Sequence, residues 1–183
     1  METRIIQADQ AFGDLVGSVR AIVRRELNWA HTAGLLTERL RDRLPAAEFL
    51  TGEQRYGDPL KYRCHVLHAE SDGSFSVAAL VWRPGQMTSI HDHVTWCVSA
   101  VLQGSEQEDR YVLREDGWLE HAGTATAPAG TVSSLVPPGD IHRVRGAGPG
   151  TTISLSIYGT DLSRLGSSVR RTYDLPVVAA ATA

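Results

Sequence analysis

His91 and His93 flank Asp92 in the stretch "SIHDHVTWC", and Cys97 follows four residues after the second histidine. The run reads as a β-strand, on which residues two apart project from one face. His91 and His93 therefore point together and Asp92 points away. Two imidazoles on one strand face supply most of a metal site. His142, in "PPGDIHRV", completes the set if its strand neighbours the first. Neutral imidazole suits iron, zinc, copper or nickel. His31, His65, His68 and His121 lack that spacing and read as structural residues. Cys64 and Cys97 are the only cysteines among 183 residues, which argues against a disulfide scaffold and for reduced thiols in a cytoplasmic protein.

Converging histidines need elements that fix their direction. From Lys61 onward the apolar period is two: "KYRCHVLHA", "FSVAALVWR", "TWCVSAVLQGSEQEDRYVL", "TVSSLV", "IHRVRGA" and "TTISLSIYG" read as short strands. Turn signals such as "SDGS", "RPGQ", "EDGW", "APAG" and "PPGD" separate them. Strands this short and this closely spaced predict a mainly β sandwich or barrel. Upstream the period is helical. Phe12, Leu15, Val16, Val19, Ile22, Val23 and Leu27 form one stripe; Leu35, Leu36, Leu40 and Leu44 form a second, with Thr32 as its expected N-cap and Pro45 at its end. The expected organisation is a single domain: N-terminal helices over 1–58, a barrel over 59–160 and a C-terminal extension over 161–183. The extension reads as a short helix or ordered tail closing on "AAATA", expected to be disordered.

Composition sets outer bounds. Apolar residues make up 42% and charged residues 21%, ordinary for a globular chain. A net charge of −3 offers no basic face for nucleic acid. No apolar run is long enough to span a bilayer. Oligomeric state is not legible.

The flanks of the histidines sharpen the reading. Gly85 lies six residues before His91, Gly104 lies seven after Cys97, and Pro137-x-Gly139-x-x-His142 follows downstream. This frame resembles the paired motifs of the cupin superfamily, which implies a double-stranded β-helix (jelly-roll) barrel. It departs in three places. Six residues separate Gly130 from Pro137, one more than usual, and Gly146 stands where an asparagine is usual. Above all, Cys97 occupies the position of the cupin glutamate. The implied site then has three neutral ligands and no carboxylate, leaving open positions for an anionic donor and dioxygen.

From Lys61 to Asp174 the chain resembles the thiol dioxygenases, cysteine dioxygenase and 3-mercaptopropionate dioxygenase, through "VWRPGQMTSIHDHVTW", "VLQGSEQE", "VPPGDIHRVRGAGPG" and "SLSIYGTDL". The resemblance implies non-haem Fe(II) held by His91, His93 and His142, and conversion of a small thiol plus O2 to a sulfinic acid. Cys97 and Tyr158 match a pair that is cross-linked in cysteine dioxygenase. Ser154, Ser156 and Tyr158 match a hydrogen-bond relay facing the iron, with Ser156 replacing the family's histidine. A substrate carboxylate would need an arginine. By resemblance this falls to the strand of Arg63 and His65 or, fitting the chain better, to Arg170 or Arg171. 3-Mercaptopropionate or a similar thiol carboxylate is then the first choice and cysteine the second. A cupin metalloenzyme of another reaction class, or a non-catalytic cupin binding a small molecule, is the alternative.

Overall fold

A computed structural model describes residues 2–179, with side chains from residue 10. Helix α1 (Glu2–Val23) and helix α2 (Trp29–Asp42) come first, then a 3-10 turn (Ala47–Phe49) and the one-turn helix α3 (Gly52–Arg55). The strands follow: β1 (Arg63–Ala69), β2 (Ser76–Trp82), β3 (Ile90–His93), β4 (Cys97–Gln103), β5 (Ser105–Leu113), β6 (Leu119–Pro128), β7 (Val132–Leu135), β8 (His142–Gly146) and β9 (Thr152–Tyr158). The C-terminal part adds helix α4 (Leu162–Leu165), β10 (Val169–Tyr173) and β11 (Val177–Ala179).

Two curled sheets face each other, ordered β1-β2-β9-β4-β7 and β10-β3-β8-β5-β6-β11. This is the expected mainly β barrel of the double-stranded β-helix type, with helices at its N-terminal side. No helix among the described residues is long and apolar enough to cross a membrane.

Strand β9 explains how the layers form. Its sequence "TISLSIY" alternates, and every residue is buried. Ile153, Leu155 and Ile157 lie on one face, where the last two pack with Leu15, Val19, Leu36 and Leu40 of α1 and α2. Ser154, Ser156 and Tyr158 lie on the other face and look into the barrel. The polar face thus points inward and the apolar face outward, so the outward face needs a cover. The helical stripes supply it. Burying one such aliphatic side chain contributes about 1.5–3 kcal/mol.

Several expectations need correction. Asn28, not Thr32, caps α2: its side chain accepts the His31 backbone N–H at 2.9 Å. Thr32 sits inside the helix, because the helical hydrogen bonds begin one turn earlier. "TWCVSAVLQGSEQEDRYVL" is two strands broken at Gly104, whose φ of +74° and close approach to Thr152 (2.7 Å from an added Cβ to Oγ1) exclude a side chain. Strand β6 was not anticipated, since "LEHAGTATAP" carries few β-branched residues; pairing with β5 forms it. The extension forms the expected short helix, α4, and also joins the barrel: β10 pairs antiparallel with β3, the strand of the two histidines. Of "AAATA", Ala179 ends β11 and the other four residues lie outside the described residues.

Candidate metal centre and substrate cavity

Two adjacent strands bring the histidines together. β3 carries His91 and His93, and β8 lies beside it with His142 directly opposite His91. Ring centroids are 4.8 Å apart for His91–His93, 4.6 Å for His91–His142 and 5.1 Å for His93–His142. One ring nitrogen from each lies within 4.8 Å of the others. All three residues are buried.

The other ring nitrogens decide which atoms face inward. His91 Nδ1 lies 2.9 Å from the Ser89 carbonyl oxygen. A carbonyl only accepts, so Nδ1 carries the proton and Nε2 keeps its lone pair. His93 Nδ1 donates to Asp140 Oδ2 at 2.9 Å, and His142 Nδ1 to Glu108 Oε1 at 2.8 Å. His142 Nε2 is buried without a partner. Each imidazole is thus turned and held in the tautomer a metal requires. Burial first, then the neighbouring imidazoles, push His91 down to about 4, and burial likewise lowers His142. The His91 and His142 nitrogens are therefore neutral at ordinary pH and free to serve as ligands. The set fits a divalent transition metal.

The two supporting carboxylates are ionised despite their surroundings. Burial opposes the charge on Asp140, but the bonds from His93 and from backbone N–H groups outweigh it. Burial also opposes ionisation of Glu108, and His142 and Arg110 overcome it. Neither residue was singled out in the sequence. The sole available signal for Glu108 was "EQEDR", whose period of two puts Glu106, Glu108 and Arg110 on one strand face.

A cavity of about 180 Å³ opens beside the histidines. Its walls bring together most of the expected site residues. β4 supplies Cys97, and β9 supplies Ser154, Ser156 and Tyr158. Cys97 and Tyr158 face each other in register across β4 and β9, and the Tyr158 ring centroid is 6.3 Å from that of His93. Burial pushes the Cys97 thiol up to about 12 and raises the Tyr158 hydroxyl well above its ordinary value. Ser156 Oγ is 3.0 Å from Ser99 Oγ on the neighbouring strand.

The expected substrate arginines are not brought to this cavity. β1 pairs with β2 so that His65 stands opposite Ala79 and Arg63 opposite Val81. Ala79 and Val81 belong to the core under the N-terminal segment, on the face away from the histidines. Arg63 pairs with Asp58 instead. Arg170 reaches Asp92 on the outward face of β3, where Asp92 also accepts the Tyr173 hydroxyl at 2.9 Å. The Arg171 guanidinium lies over the Tyr173 ring, 5.6 Å from its centroid. The guanidinium that does line the cavity is Arg110.

A family model described as "Cysteine dioxygenase type I" matches residues 1–158. Among solved structures, a Klebsiella pneumoniae protein described as uncharacterized, with a double-stranded beta-helix domain, is 19% identical. The match covers 60% of this chain and 85% of that one at a TM-score of 0.44. A Lactobacillus farciminis oxalate decarboxylase in complex with formate is 17% identical, over 57% of this chain and 30% of that one, at 0.45. The cupin domain of Schizosaccharomyces pombe Cnp3 is 15% identical, over 57% and 65%, at 0.43.

Proposed function

Because the chain belongs to the cysteine dioxygenase type I family, we propose that it is an Fe(II)-dependent thiol dioxygenase, which adds both atoms of O2 to the sulfur of a small thiol. The observation that carries this reading is the group formed by His91, His93 and His142, with no carboxylate among its members. When held there, iron supplies an electrophilic site at which a thiolate and dioxygen can meet.

The protein's own residues then have defined tasks. The Ser89 carbonyl, Asp140 and Glu108 aim three nitrogen lone pairs inward. Tyr158, kept protonated by burial, donates a hydrogen bond toward the reacting sulfur and oxygen. Ser154 and Ser156 complete the polar wall. Apolar strand faces and the helices over them keep bulk water from the back of the cavity. In the overall change, RSH + O2 gives RSO2H; sulfur loses the electrons that dioxygen gains, and the thiol proton passes to the sulfinic acid or to water.

The test is anaerobic loading with Fe(II), followed by oxygen uptake with cysteine, 3-mercaptopropionate and cysteamine. A product two oxygen atoms heavier than the thiol is expected, and His142→Ala should abolish it. Oxygen uptake that is independent of thiol would refute the proposal. The resemblance points to a thiol carboxylate, whose carboxylate would call for an arginine; the guanidinium at the cavity is Arg110, which pairs with Glu108. Arg63, Arg170 and Arg171 are engaged elsewhere.

A further inference from the structure

Charge in the cavity is distributed along one strand. β5 turns Glu106, Glu108 and Arg110 inward at alternate positions. Two of these three already satisfy each other: Arg110 Nε and Nη2 both donate to Glu108 Oε2, at 3.1 and 2.9 Å. The other oxygen of Glu108 serves His142. Glu106 differs from both. Its bond comes from a neutral group, the Ser154 hydroxyl at 2.6 Å, and that hydroxyl in turn accepts the Trp82 indole N–H at 3.4 Å. No cation among the described residues pairs with it.

Burial raises the Glu106 pKa, and nearby Glu108 adds to the effect. An ionised carboxylate with no counter-charge in such a place is costly. A cationic ligand removes that cost. A carboxylate ligand would do the reverse, adding a third carboxylate to a wall with one occupied guanidinium.

We propose that the substrate presents its sulfur to the histidine group and a cationic amine to Glu106, so that the preferred class is an aminothiol without a carboxylate. This rests on the thiol dioxygenase reading and deepens it. Glu106 is a substrate-binding residue that selects charge.

The experiment compares two thiols of similar size and opposite charge, cysteamine and 3-mercaptopropionate, on the iron-loaded full chain and on Glu106→Gln. The expected result is a kcat/KM favouring cysteamine. Glu106→Gln should lower that ratio about ten- to a hundredfold, because a charge-assisted bond is lost while the Ser154 contact can persist. A thermal-shift series without oxygen reads binding apart from turnover. Cysteamine should stabilise the wild-type chain more than 3-mercaptopropionate does, and the difference should vanish in Glu106→Gln. If 3-mercaptopropionate is the better substrate and the better stabiliser, and Glu106→Gln leaves both ratios unchanged, the amine inference falls while the dioxygenase reading stands. If no thiol drives oxygen uptake, the dioxygenase reading falls and the thermal-shift ratio alone decides for or against a cationic ligand. A Glu106→Asp variant that restores part of the preference separates the charge from a packing defect.

Discussion

Asp140 Oδ2 accepts two bonds from one residue, the ring Nδ1 of His93 at 2.9 Å and its backbone N–H at 3.0 Å. A single carboxylate therefore fixes both the rotation of the imidazole and the path of its strand. Asp140→Ala should leave the barrel intact but weaken iron binding about ten- to a hundredfold. Asp140→Asn keeps an acceptor oxygen and should lose less. Metal titration monitored by calorimetry checks this; equal affinities in wild type and Asp140→Ala would remove Asp140 from the site.

Cys97 and Tyr158 are register partners on adjacent antiparallel strands, which puts their Cβ atoms about 4.5–5.5 Å apart. A thioether between them needs little backbone movement. Its formation removes one hydrogen from the thiol and one from the ring, with dioxygen as the oxidant. The iron-loaded chain, exposed to O2 and thiol, should become two hydrogens lighter than its sequence mass. Cys97→Ser should show no such loss. An unchanged intact mass after full turnover would exclude the cross-link.

How far the sequence foretold this site depends on what sets each residue's direction. His91 and His93 were legible because two residues on one strand share a face whatever the strand pairs with. The alternation of "TISLSIY" was equally local. The direction of Arg63 and His65 was not legible, because their face is set by the pairing of β1 with β2, and a change of one residue turns every side chain over. Nor was the contact of Arg170, which the pairing of β10 with β3 delivers to Asp92. Asp140 and Glu108 stayed hidden for a related reason. They bond histidines 47 and 34 residues away, and no local pattern encodes such a pairing.

Ser156 faces the cavity where the family resemblance implies a histidine, and its hydroxyl lies 3.0 Å from Ser99. The smaller side chain leaves room that an imidazole would fill. Ser156→His should break the pairing with Ser99 and shrink the cavity. The expected outcome is a shift of about tenfold or more in relative kcat/KM between thiols of different size. Oxygen-electrode assays over a series of chain lengths check it. An unaltered ranking and rate would show that Ser156 does not shape the substrate space.

Glu70 ties the helical cover to the barrel. Its Oε2 accepts Arg20 Nε at 3.0 Å and lies 3.1 Å from His68 Nε2, joining α1 to the end of β1. Arg20 and then His68 hold the Glu70 carboxyl below the ordinary carboxylate value of about 4.3. The sign follows from linkage. A group with a depressed folded pKa stabilises the fold above its unfolded pKa, and that stability is lost as pH falls through the folded value. Glu70→Gln should thus lower the melting temperature at pH 7 by about 2–4 °C, the shift that accompanies about 1 kcal/mol in a chain of this size. The gap between wild type and variant should close progressively below about pH 4.3. Melting curves of both proteins from pH 3 to pH 8 read this directly, and a gap that persists unchanged at the acidic end would mean that packing, rather than the carboxylate charge, joins α1 to the barrel.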